Sequence, residues 1–313
     1  MIVTRTKPLD YGKVYKTLVA STAKYMTENK MKSMVLGISG GIDSTVTAAI
    51  CRTVSIETQI PLIGVSLPCW TNKTAEITAA EVVGNEFCNI FFTEDIEDLY
   101  KASKKTFNHV IEEDEKFKEY DFKSSKLTDG NIKARIRGNF LHNLAGITGG
   151  LVMDTDNLTE HYLGFWTICG GDEGEFNPIG GLWKHEVYGL AKWIKENEYT
   201  ESKGLERSIE LIPTDGNGVS QSDLDQIAPG KTYDDVDEIL MKWVPLDSRI
   251  KSLVIDTNYK HGTFSTLVEK HGLETVKRVI ERSINSEFKR RARPFVIELY
   301  SGTILEKNGK IID

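Results

Sequence analysis

The chain is poor in cysteine: Cys51, Cys69, Cys88 and Cys169 are the four among 313 residues, with no Cys-x-x-Cys pair and no histidine nearby at a zinc spacing. That excludes a zinc ribbon and a disulfide-built scaffold, and predicts reduced, buried thiols. Long hydrophobic runs are also missing. No stretch reaches the roughly 18 uninterrupted apolar residues of a membrane-spanning helix. The N-terminal MIVTRTKPLDYGKVYK has neither the apolar centre nor the small-residue cleavage site of a leader. A cytoplasmic protein with no membrane partner is expected. A basic excess is lacking too, since the formal net charge is -7. Nucleic acid is therefore not an expected partner. There is no internal repeat and no low-complexity tract, and only EEDEKFKEYDFKSSK, from Glu112 to Lys126, reads as a mobile loop.

What is present suffices for a packed core, with 40% hydrophobic residues. Val14, Leu18, Tyr25 and Met26 fall at helical spacing between Tyr11 and Lys30 and predict an amphipathic helix. The short apolar SMVLGIS, Ser33 to Ser39, reads as a strand, followed by glycines and then a helix over DSTVTAAICRTV. PLIGVSLPC, CNIFFTED and Leu151 to Met153 read as further strands, with helices over KTAEITAAEVVGNEF and from about Asn131 through His142. This alternation predicts an α/β fold, an open, mostly parallel, doubly wound sheet whose ligands bind beyond the carboxyl ends of the strands. Both ISGGIDS and DTDNLTE follow strands at that edge. TYDDVDEILMKWV and LETVKRVIERSINSEF have helical periodicity, so residues from about 232 to 313 are expected as a helical extension of a single domain spanning 1–313.

The loop Gly37-Ile38-Ser39-Gly40-Gly41-Ile42-Asp43-Ser44 carries the sharpest chemistry. Glycines there let several backbone N–H groups approach one phosphate cluster, and the helix behind them adds its positive end. The Ser39 and Ser44 hydroxyls can donate to the same oxygens. Asp43 would repel bare phosphate, and becomes useful if a magnesium ion bridges it to the phosphates. The lysine of GxxxxGK[ST] is missing, as is the GxGxxG fingerprint, so neither common nucleotide loop applies. A glycine turn with an aspartate cap is the ordinary reading of such residues, but the strand before and the helix after favour phosphate.

SGGIDS resembles the pyrophosphate-binding loop of the N-type ATP pyrophosphatases, whose fold is adenine nucleotide alpha hydrolase-like and whose members adenylate a substrate with ATP. Within them the chain resembles the NAD synthetases from about Val35 to Pro294. GNIKARIR implies that Arg135 meets deamido-NAD; TDNLTE implies that Thr155 contacts ATP and that Glu160 holds magnesium with Asp43. NPIGGLWK makes Lys184 an ATP phosphate contact, and PTD makes Thr214 another. The catalytic set implied is Asp43, Glu160 and Lys184, with ATP bound along Gly37 to Ser44 and by Thr155, Lys184 and Thr214. Taken singly, Arg135 and Lys184 are ordinary solvated residues and Glu160 an ordinary first-turn carboxylate; their joint occurrence in family order defeats that reading. Trp166, Trp183 and Trp193 are assigned to packing.

The acceptor half departs from the family pattern. Ile168 stands in ICGGDEGE where a lysine commonly contacts deamido-NAD, Glu175 keeps an acid one methylene longer, and Phe288 replaces a histidine beside Lys289. Ser66 replaces an arginine, and about two dozen residues around DTNYKHGTFSTLVEKHG are additional. The resemblance implies that a nicotinate carboxylate attacks the α-phosphorus of ATP, and that ammonia then displaces AMP. Met1 to Met34 is too short for a glutaminase domain, so ammonia is the expected nitrogen source; a homodimer is the family expectation. Two alternatives compete, the same ATP chemistry on a different acceptor and a nucleotide-binding homologue without turnover.

Overall fold

A computed structural model describes residues 8–113, 115–119, 125–170, 174–211, 223–290, 298–300, 303–305 and 311–312. Helix α1 (Tyr11–Glu28) starts at Asp10, whose carboxylate accepts the Lys13 N–H at 3.1 Å. It buries Tyr15, Val19, Thr22 and Met26, one residue round the helix from the stripe expected at Val14 and Leu18. Then follow β1 (Met34–Gly37), α2 (Ile42–Thr58), β2 (Leu62–Ser66), α3 (Thr74–Phe87) and β3 (Ile90–Thr93). Next come α4 (Glu97–Glu113), α5 (Glu115–Lys118), α6 (Lys126–Thr148), β4 (Leu151–Met153) and α7 (Leu158–Leu163). The chain continues through α8 (Lys184–Asn197), α9 (Lys203–Glu210) and α10 (Asp223–Ile227). Helices α11 (Tyr233–Trp243), α12 (Ser248–Asp256), α13 (Thr263–His271) and α14 (Leu273–Asn285) precede a 3-10 turn, Glu287–Arg290. The last elements are β5 (Glu298–Tyr300), β6 (Thr303–Leu305) and β7 (Ile311–Ile312).

The first four strands form an open parallel sheet in the order β3-β2-β1-β4. Successive strand residues point to opposite faces, and both faces are covered. Met34 and Leu36 join the core beneath α1, α2, α3 and α8, while Val35, Ile63 and Val152 pack with Ala145 of α6 on the other face. That explains why these strands read as unbroken apolar runs. The chain steps from β1 outward to β2 and β3 and then returns to the far side of β1 as β4. The switch point therefore lies between β1 and β4, where the loops after both strands open a crevice. A second apolar core joins α7 and α10 to α11, α12, α13 and α14.

Three expectations need correction. The described part of EEDEKFKEYDFKSSK is largely helical, since its charges line the ends of α4, α5 and α6; residues 114 and 120–124 lie outside the described residues. A solvated helix face explains the polarity that suggested a loop. The C-terminal region is helical only as far as Arg290 among the described residues, and β5, β6 and β7 pair antiparallel behind it. Apolar β-branched residues flanking Ser301-Gly302 and Asn308-Gly309 carried that signal. None of the four cysteines is in a disulfide, but Cys169 is exposed rather than buried, at φ 61. Burial pushes the Cys88 thiol up to about 12, so it is an inert packing group. Among the described residues no helix is long and apolar enough to cross a membrane.

Candidate active site

A cleft of about 730 Å³ opens at the switch point. One wall is the loop from Gly37 to Ser44. Gly40 has φ +77, and a Cβ there would lie 2.6 Å from the Ala80 backbone nitrogen, so the loop packs directly on α3 only as glycine. Gly41 precedes α2 with no side-chain cap on the first turn. The loop is tied to itself: Ser39 and Ser44 hydroxyls are 3.0 Å apart, Gly41 N–H donates to Ser39 Oγ at 3.2 Å, and Thr45 Oγ1 donates to the Gly41 carbonyl at 2.8 Å. Ile38 and Ile42 are buried and anchor it in the core.

Asp43, Glu160 and Lys184 come from three different helices and meet here. Lys184 Nζ donates to Asp43 Oδ2 at 2.5 Å and to Glu160 Oε1 at 2.8 Å. The lysine side chain is 2% exposed and each carboxylate 16%. Burial pulls the Lys184 ammonium down, but the two carboxylates outweigh it and hold its pKa well above the ordinary lysine value.

Residues that sequence reasoning passed over hold this trio in place. Asn157 is fully buried; its side chain caps α7 by accepting the Glu160 N–H at 3.1 Å, and its Nδ2 donates to Asp43 Oδ1 at 2.9 Å. The N-x-x-E spacing in TDNLTE was the available signal, a capping box in which Glu160 Oε2 accepts the Asn157 N–H at 3.3 Å. Asp237, fully buried on α11, accepts from Thr159 Oγ1 and from the His185 N–H at 2.9 Å, and its Oδ2 lies 2.8 Å from His185 Nδ1. Thr159 Oγ1 in turn accepts the Lys184 N–H at 2.8 Å. One buried carboxylate thus fixes the starts of the two helices that carry Glu160 and Lys184.

Asp43 and Glu160 are the two carboxylates at this point of the cleft, the kind of donor a magnesium ion takes. Two carboxylates are what such an ion commonly takes from protein, with phosphate and water oxygens completing six positions. Among the described residues no group of three or more His, Cys, Asp or Glu is gathered to hold an ion alone, so Asp43 and Glu160 would act only together with phosphates.

The residues expected to meet the acceptor, and Thr155 expected to meet ATP, divide. Arg135, Thr155, Ile168, Phe288 and Lys289 line the same cleft as the glycine loop. Arg135 Nε donates to the Ile168 carbonyl at 3.1 Å. Ile168 is 41% exposed and Phe288 59% exposed, so both present apolar surface. The Lys289 ammonium is engaged by the Gly164 and Trp166 carbonyls at 2.8 and 2.5 Å. Glu175 is not part of this wall. Its Oε2 accepts the Val152 N–H at 2.6 Å and its Oε1 faces His142 Nδ1 at 3.1 Å, capping the free edge of β4. Parallel pairing of Phe176 with Met153 carries the side chain there. Thr214 lies outside the described residues. Arg137 pins the β2–α3 loop through the Leu67 carbonyl at 2.8 Å, and Ser66 is buried at the cleft floor. Trp183 and Trp193 pack as expected, while Trp166 both packs and lines the cleft.

Comparison with known proteins agrees with this geometry. The family model described as NAD synthase matches residues 14–293. The chain is 32% identical over 214 residues to the NH(3)-dependent NAD(+) synthetase of Methanococcus aeolicus, covering 68% of this chain and 76% of that one. It is 27% identical over 241 residues to the glutamine-dependent NAD(+) synthetase of Thermotoga maritima, covering 76% of this chain but only 38% of that longer protein. In fold it is similar to the NMN synthetase of Francisella tularensis, with a TM-score of 0.69 over 92% of this chain and 99% of the other at 21% identity.

Proposed function

The chain belongs to the NAD synthase family, and from that premise we propose that it amidates the nicotinate carboxylate of deamido-NAD with ammonia, converting ATP to AMP and pyrophosphate. The observation that supports this most strongly is the cleft itself. It brings the phosphate loop, the Lys184 trio and Arg135 into one cavity, although their segments are scattered along the chain.

A carboxylate in water is a poor electrophile with a poor leaving group, and adenylation removes both obstacles. In the first step a carboxylate oxygen attacks the α-phosphorus and the bond to the β-phosphate breaks. In the second, ammonia attacks the acyl carbon, the bond to AMP breaks, and a proton passes to solvent. No covalent intermediate with the protein is needed, so the residues act by positioning and charge. The Gly40 and Gly41 amides with Ser39 and Ser44 hold the departing pyrophosphate, Thr155 and Thr214 contact ATP, and Lys184 offsets phosphate charge. Asp43 and Glu160 would hold magnesium, which when bound neutralises charge on the phosphate oxygens. Arg135 orients the acceptor beside Ile168, Phe288 and Lys289. Glu175 acts from one layer behind by fixing the β4 edge.

A second reading keeps the ATP chemistry and changes the acceptor to a nicotinate mononucleotide. It is motivated by Ile168 and Phe288, which present apolar faces on the cleft wall where the family resemblance has a lysine and a histidine. One assay separates the two. Protein, ATP, magnesium and ammonium are mixed with deamido-NAD or with the mononucleotide, and amide product and AMP are measured. Amide from deamido-NAD supports the first reading; amide only from the mononucleotide supports the second; AMP from neither refutes both. We take the chain as one synthetase unit, a homodimer acting in the cytoplasm, on the strength of the family resemblance.

A further inference from the structure

Residues 163–168 cross the acceptor end of the cleft, and three cations hold that segment by its carbonyls. Arg282 Nε donates to the Leu163 carbonyl at 2.8 Å, Lys289 to those of Gly164 and Trp166, and Arg135 Nε to that of Ile168. The three differ in what they have left. Lys289 gives its ammonium to two carbonyls. Each arginine spends only Nε, and among the described residues no carboxylate pairs with either guanidinium. Arg282 also lies on the Phe165 ring, 5.0 Å from its centroid, so the head is held rather than free to swing. Its helix is rigid, because Val276, Val279 and Ile280 are fully buried in the second core. Trp166, 8% exposed on the same wall, has no hydrogen-bond partner for its indole N–H among the described residues. The acceptor end therefore presents two guanidinium groups that, among the described residues, no carboxylate neutralises.

We propose that Arg282 is an acceptor-binding residue, donating through its two Nη groups to a phosphate of the acceptor nucleotide alongside Arg135. The inference rests on the reading of the acceptor as a nicotinate nucleotide. A phosphate is the right group for a fixed planar fork. The nicotinate carboxylate is not, because its lone pairs must be available to attack phosphorus. The acceptor phosphate also keeps its charge from ground state to transition state, so a guanidinium bound to it stabilises both alike. Loss of Arg282 should raise the KM for acceptor far more than it lowers kcat.

The test compares Arg282→Met, which keeps an apolar stem and removes the fork that lies on Phe165, with Arg282→Lys and wild type. Binding of deamido-NAD without ATP, read by calorimetry, should weaken by roughly 10- to 100-fold in Arg282→Met and by less in Arg282→Lys. The KM for ATP should move by less than about twofold. With nicotinate riboside, which has no phosphate, wild type and Arg282→Met should bind alike. Unchanged deamido-NAD binding in Arg282→Met, an equal loss with the riboside, or a wild type that binds no nicotinate nucleotide would overturn the inference. Turnover judges the proposed reaction separately: wild type that binds deamido-NAD but forms no NAD refutes that reaction and leaves the binding comparison standing. Matched thermal midpoints show that the variants fold.

Discussion

Lys184 and Asp43 lie 141 positions apart and meet at 2.5 Å, with Glu160 on the other side of the same ammonium. One buried cation thus balances one of two carboxylates, and the trio carries a residual negative charge at the mouth of the glycine loop. That excess repels a bare polyphosphate and favours one that arrives with a divalent cation.

Replacing Lys184 by methionine leaves two nearly buried carboxylates without their counterion. Stability measured by urea unfolding should fall by about 3–5 kcal/mol. Magnesium at millimolar concentration should recover part of that loss and shift the variant's midpoint more than the wild type's. Equal shifts would show that Asp43 and Glu160 do not share an ion.

Asp43→Ala and Glu160→Gln should each lower the rate of AMP formation at saturating ATP on the order of 10²–10³-fold, by removing charge stabilisation aimed at the transferring phosphorus. Turnover unaltered by either change would refute the role given to that carboxylate.

Gly40→Ala forces a side chain into φ +77 with its Cβ 2.6 Å from the Ala80 nitrogen. It should cost more than about 1 kcal/mol and raise the KM for ATP, because the loop must leave α3. Gly146 of α6 has nothing within 4 Å of an added Cβ. There alanine should stabilise by about 0.5–1 kcal/mol with no kinetic effect. Similar outcomes at both glycines would remove the argument from close approach.

His185 supplies the pH dependence. Burial pulls its pKa down, but the hydrogen bond and charge of Asp237, helped by Glu186 and Asp234, outweigh that and raise it above the ordinary histidine value. The folded state then binds the proton more tightly than the unfolded one. Its contribution is complete below the unfolded value of about 6.5 and is lost as pH rises through the raised folded value. Wild-type thermal midpoints should fall across that interval, and His185→Gln should lack this fall. Parallel curves for the two proteins would sink the assignment.

Much of this was legible in the sequence. Short apolar runs followed by Gly/Ser/Asp loops announced β1, β2 and β4 and the edge where ligands bind, because strand length, helix period and turn chemistry are set within a few residues. Asp43 stood out in its glycine loop, whereas Glu160 and Lys184 were named only by the resemblance of their segments to those of the NAD synthetases. Their mutual geometry was not legible, since Asn157, Thr159 and Asp237 act across segments that only the β1–β4 switch point brings together. Glu175 kept the family's acid one methylene longer, yet pairing with β4 turned its carboxylate to the sheet edge. Arg282 carried no motif, and its place on the cleft that Arg135 also lines depends on α14 packing in the second core. Local chemistry along the chain decides which groups can bind phosphate; burial and long-range packing decide which of them face the same cleft.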